Sequence, residues 1–82
     1  MPAVRIDVDE LHVGRKKDPQ GYYVALVHKD TLGKLIDVVQ SSEIYVDPYG
    51  DIIILRSRSW KAIQRLINYA RSRGIRVLER RE

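Results

Sequence analysis

The chain has 82 residues, fifteen Lys and Arg against eleven Asp and Glu, a net charge of +4, and no cysteine. A chain this short makes one domain, here residues 1–82, with a marginal core, and without cysteine neither disulfides nor a thiolate metal site can support it. No apolar run approaches membrane-spanning length and the N-terminus carries no apolar signal stretch, so a soluble cytoplasmic protein without a membrane partner is expected.

In chain order, Val4, Ile6 and Val8 alternate with Arg5, Asp7 and Asp9, the period of a half-buried strand. Leu11 and Val13 continue it with switched parity, which calls for a bulge near Glu10. Residues 22–27 are a continuous apolar run of strand length. Asp30 is placed to cap a helix whose apolar face is Leu32, Leu35, Ile36 and Val39. Residues 44–46 are a short strand and residues 52–55 a second continuous apolar run. Ser59 is placed to cap a longer helix to about Arg73, with Trp60, Ile63, Leu66, Ile67 and Ala70 facing the core and Gly74 as its stop. Residues 75–80 form the last strand.

Two turns share one design, Asp18-Pro19-Gln20-Gly21 and Asp47-Pro48-Tyr49-Gly50. Asp first, Pro second and Gly fourth suit a type I turn followed by a left-handed glycine, so both read as hairpins. The whole is an α+β chain of order ββαββαβ. From Tyr22 onward the order is ferredoxin-like, which predicts an antiparallel sheet of about five strands, counting the extra N-terminal one, with two helices on one face. The continuous apolar strands should be central and the mixed ones edges. The N-terminal strand either extends this sheet or pairs with its counterpart in a second subunit. Its apolar residues and the small core make it the expected interface of a homodimer.

Charge is sorted along the chain. Residues 56–82 hold nine of the fifteen Lys and Arg but only two acids, whereas residues 30–55 hold one Lys and five acids. A basic region with a field attracts polyanions, and nucleic acid, DNA or RNA, is the expected partner. Arg56, Arg58 and Lys61 cluster where a strand meets a helix N-terminus, a position the helix dipole disfavours for cations. With Ser59 and the free N–H groups of that terminus they make a candidate phosphate site. Arg65 continues the stripe down the helix, Arg15, Lys16 and Lys17 form a basic hairpin tip, and Tyr49 sits at a turn where a base can stack on it.

The chain shows no nucleophile motif, glycine-rich phosphate loop or metal-ligand spacing, so a non-enzymatic protein without cofactor, metal or small-molecule substrate is expected. Ten Arg, one Asn and the missing cysteine also fit a heat-adapted protein. On that reading the Arg content serves ion pairing, and the chain is a homodimeric structural or regulatory interaction module. A more distant alternative places Mg²⁺ on Asp7 and Asp9 of one strand face, as in a metal-dependent nuclease.

Overall fold

The computed structural model describes residues 6–80, so Val4 and Arg5 of the expected first strand, and Arg81 and Glu82, lie outside the described residues. The elements are β1 (Glu10–Gly14), β2 (Tyr23–His28), α1 (Lys29–Ser41), β3 (Tyr45–Tyr49), β4 (Ile52–Ser57), α2 (Trp60–Ser72) and β5 (Arg76–Arg80). They form one five-stranded sheet in the order β3-β4-β2-β1-β5, with both helices on one face.

The α+β class, the element order and the central and edge assignments agree with the sequence reading. Strands β2 and β4 are internal, and β3 and β5 are the edges. The sheet differs from a ferredoxin-like one in a single respect. There β5 would pair with β2; here β1 lies between them, antiparallel to β2 and parallel to β5. The sheet is therefore mixed, not antiparallel. Strand β1 has both backbone edges engaged within its own chain, so it cannot pair with a second subunit as expected. Leu11 and Val13 are fully buried in the helix-side core, which is the physical reason for this placement.

The bulge expected near Glu10 is a turn. Asp9 adopts φ 66°, which a short polar side chain tolerates. Its N–H donates to the buried Thr31 Oγ1 at 2.9 Å, its carbonyl accepts from Arg76 N at 2.9 Å, and Lys34 Nζ lies 2.6 Å from its carboxylate. Val8 consequently points out, while Ile6 is buried.

Helix α1 begins two residues earlier than expected. His28, not Asp30, is its N-cap, with Nδ1 accepting from Asp30 N at 3.1 Å. Its buried face is Thr31, Leu35, Val38 and Val39. Helix α2 starts after Ser59 as expected, and Ser59 Oγ accepts from Ala62 N at 3.3 Å. It ends at Ser72, and Gly74 just beyond, with φ 76°, lets the chain reverse into β5. Ala25, Val27, Ile53 and Leu55 meet Ile63, Leu66 and Ala70 in one hydrophobic cluster.

The first Asp-Pro-x-Gly turn forms as read. Gly21 N donates to Asp18 O at 2.9 Å, and Asp18 Oδ1 accepts from Gln20 N and Tyr22 N. The second is shifted: Asp47 and Pro48 belong to β3, and the reversal is the two-residue loop Gly50-Asp51 between paired Tyr49 and Ile52. Pro48 is tolerated because β3 is an edge, where a missing N–H breaks no ladder. Gly50 takes φ 63° with no positive φ at Asp51, the pattern of a type II′ hairpin.

Gly50→Val and Gly50→Ala should therefore both destabilise the fold by about 1–3 kcal/mol, because the first central residue of a type II′ turn sits where side chains are rarely found. Urea unfolding of both variants checks this, and unchanged stability would contradict it.

Candidate functional site

The strand directions sort the side chains to two ends. β1 and β5 run one way between the ends, β2 and β4 point opposite ways, and β3 returns against β4. One end therefore gathers the C-terminus of β1, the N-termini of β2 and β3, and the passage from β4 into α2. Arg15, Lys16, Lys17, Tyr22, Tyr23, Tyr45, Arg56, Arg58, Trp60 and Lys61 all sit there. The opposite end carries Asp7, Asp9, Glu10, His28, Asp30 and Asp51.

At the basic end, cations lie over rings. The Arg15 guanidinium is 5.9 Å from the Trp60 ring centroid, Lys17 Nζ is 5.3 Å from that of Tyr23, and the Arg58 guanidinium is 4.9 Å from that of Tyr22. The rings support one another: Tyr23 and Trp60 are 5.0 Å apart, and Tyr22 and Tyr45 meet edge to face at 5.9 Å. Such contacts fix where a charge sits while leaving its outer donors in water. Lys16, Lys17, Arg58 and Lys61 are exposed and form no ion pair among the described residues.

The other expected site residues divide. Arg56 does not reach out: it lies on β4 across from Tyr45 and Val24, with Nε 3.3 Å from Asp47 Oδ2 and buried without a hydrogen-bond partner. Ser59 spends its oxygen on the α2 cap, and buried Ser57 accepts from Ser59 N at 3.1 Å. The phosphate site expected at this terminus is thus partly used by the protein itself. Arg65 leans toward the end of α1, with Nη1 3.4 Å from Ser42 Oγ. Tyr49 is 76% exposed, but at the acidic end, away from the cations.

Sequence reasoning did not pair the rings with cations. Trp60 was expected in the core but is only half-buried, at the rim of a groove of about 280 Å³ between α2 and the β1–β5 end. The available signal was the pair Tyr22-Tyr23, which must face both sides of a strand directly after the basic tip.

At the acidic end three of the carboxylates, Asp9, Glu10 and Asp51, are engaged by Lys or Arg. Lys29 Nζ is 3.2 Å from Asp51 Oδ1, and Arg76 Nη1 is 3.6 Å from Glu10 Oε2. Asp7 and Asp9 do not share a strand face, since both precede β1 and Asp9 is bound to Lys34. No group of three potential metal ligands occurs among the described residues. His12 and His28 lie on adjacent strands but do different work: His28 caps α1, and His12 Nε2–H donates to Glu10 Oε1 at 3.2 Å.

The hydrogen bond from His12 holds the Glu10 carboxyl below its usual value of 4.5, helped by the Asp7 N–H and nearby Arg76. A depressed carboxyl stabilises the fold fully above its unfolded value, and this contribution is lost as pH falls through the folded one.

The chain matches no family model, curated protein or solved structure against which it was compared.

Glu10→Gln should thus cost stability at pH 6, and its deficit relative to the parent should shrink as the pH falls below 4.5. Urea unfolding at several pH values measures this. A deficit independent of pH would mean that the carboxylate charge does no work there.

Proposed function

We propose that this chain is a small non-enzymatic nucleic-acid-binding protein that holds phosphates at the basic, ring-lined end of its sheet. One observation carries this reading: three cations from two separate segments are each laid over an aromatic ring at that end. The arrangement gathers guanidinium and ammonium donors at one end of the sheet, Arg15 and Lys17 on its helix side and Arg58 on its open side, with a ring beside each. A phosphate backbone is the polyanion that such spaced cations suit. Lys16, Lys17, Arg58 and Lys61 make the principal contacts, with Arg15 and the N-terminus of α2 beside them. Arg56 acts by holding β3 to β4 through Asp47, so its role is to position Tyr45 and Tyr22. A cytoplasmic location accords with this reading; among the described residues no helix is long and apolar enough to cross a membrane.

A second reading has its own support. The sheet face away from the helices presents half-exposed Val24, Leu26, Ile52, Ile54 and Leu78, and no described element covers it. A second copy of the chain stacked on that face would make a homodimer without using the edges. Sedimentation equilibrium at micromolar concentration should then give twice the 9.5 kDa chain mass. A monomer at that concentration removes the dimer but leaves the binding surface intact.

Fluorescence anisotropy with labelled DNA at several salt concentrations tests the main reading. Neutralising about four to six phosphates gives a log–log salt slope of about −4 to −5 on duplex DNA. Lys17→Gln combined with Arg58→Gln should flatten that slope by about 1.8 units, the share of two phosphate contacts. Absence of binding at low salt, or an affinity that does not fall with salt, would overturn the proposal.

A further inference from the structure

The groove beside Trp60 adds chemistry that phosphate binding alone does not use. Its volume is about 280 Å³, and it is lined by Arg15, Trp60, Gln64, Asn68, Arg71 and Glu79. Trp60, Gln64 and Asn68 follow one another at four-residue steps on α2, so they stack down one wall of the groove. Gln64, Asn68 and Arg71 are exposed, and none has a side-chain partner among the described residues.

Resting on the binding reading above, we propose that this groove takes an unpaired base of a single-stranded nucleic acid. The Trp60 ring is the stacking platform. Tyr23 packs against it at 5.0 Å with the planes tilted by 55°, which holds the ring in place where it lines the groove. Arg15 is the second layer. Its guanidinium stands 5.9 Å from the Trp60 centroid, and its Nε is 3.6 Å from Glu79 Oε1. That pair is half-exposed and too long for a hydrogen bond, so it holds Arg15 only weakly. A base entering beside Trp60 can take Arg15 as a planar cover, because a guanidinium stacks on aromatic faces.

The two amides supply what a phosphate would not need. Gln64 and Asn68 each offer a carbonyl acceptor and an NH₂ donor, the groups that pair with base edges. Both edges of an unpaired base are open to them, whereas in a duplex the Watson–Crick edge is spent and the faces are stacked. Arg71, one helical turn below, is placed for the adjoining phosphate, and Lys16 and Lys17 lie on the other side of Arg15. The backbone would thus pass the basic end with one base turned into the groove.

Trp60 is the only tryptophan in the chain, so its emission reports on this groove alone. The test titrates the intact protein with a short single-stranded DNA and with the duplex of the same length. Tryptophan emission and labelled-DNA anisotropy are read at one salt concentration. Single strand should quench Trp60 saturably and bind about tenfold more tightly than duplex, the worth of one base edge hydrogen-bonded by the two amides. Gln64→Ala with Asn68→Ala removes two exposed amides from a helix that Ala favours, so folding is preserved. This variant should lose most of the single-strand preference while keeping the duplex affinity of the parent. Single-strand binding without any change in Trp60 emission would overturn the groove assignment and leave phosphate binding standing. So would equal affinity for the two forms, or a preference that survives in the double variant. No binding to either form would overturn both.

Discussion

The direction of strand β1 decides what the two ends of this molecule are. Its backbone is hydrogen-bonded on both sides, antiparallel to β2 and parallel to β5. Leu11 and Val13 are fully buried, so a one-residue slip would put both on the wrong face. Its start is fixed by the left-handed turn at Asp9, tied to Thr31 and Arg76. With start and register set, β1 has to finish where β4 passes into α2. That is why the basic tip at Arg15–Lys17 stands beside Tyr23, Trp60 and Arg58, although more than forty residues separate Arg15 from Trp60 in sequence.

The charges are separated because their partners are. At one end Asp51, Asp9 and Glu10 are met by Lys29, Lys34 and Arg76, which leaves Asp7 and Asp30 without a Lys or Arg partner among the described residues, so that end stays acidic. At the other end only Arg15 and Arg56 meet acids, and rings occupy the places where further carboxylates would have stood. Ring contacts locate a cation without cancelling its charge, so the field survives. The same end holds the rings, and this coincidence of rings with uncancelled charge underlies the proposed binding.

Much of the fold was legible. Periodicity gave both helices, the central strands β2 and β4, and the edge strands; Ser59 and Gly74 marked α2 because capping chemistry is local. The first Asp-Pro-x-Gly turn was read correctly for the same reason. The second slid by two residues, since an edge strand can absorb a proline and leave the reversal to Gly50-Asp51. The insertion of β1 between β2 and β5 was not legible. Its apolar alternation suits an internal strand, an edge or an intermolecular pair equally, and only long-range packing chooses. The candidate site was legible as a list of cations and not as an arrangement. Lys16, Lys17, Arg58 and Lys61 stand exposed, whereas Arg56 faces Asp47 and Ser59 caps α2. Whether a ring faces solvent depends on which strand lies next to it, so Tyr22, Tyr23 and Trp60 became visible only with the sheet assembled.

The central claim is that one end of the sheet, and not the general positive charge, meets nucleic acid. Backbone amide shifts of the isotopically labelled protein, followed by NMR during titration with a short oligonucleotide, test it most directly. The expected changes cluster at residues 15–23 and 56–64, with the turn at Val8–Asp9, the start of α1 and the Gly50-Asp51 hairpin unmoved. Changes spread evenly over all basic side chains, or centred on the Gly50 end, would contradict it.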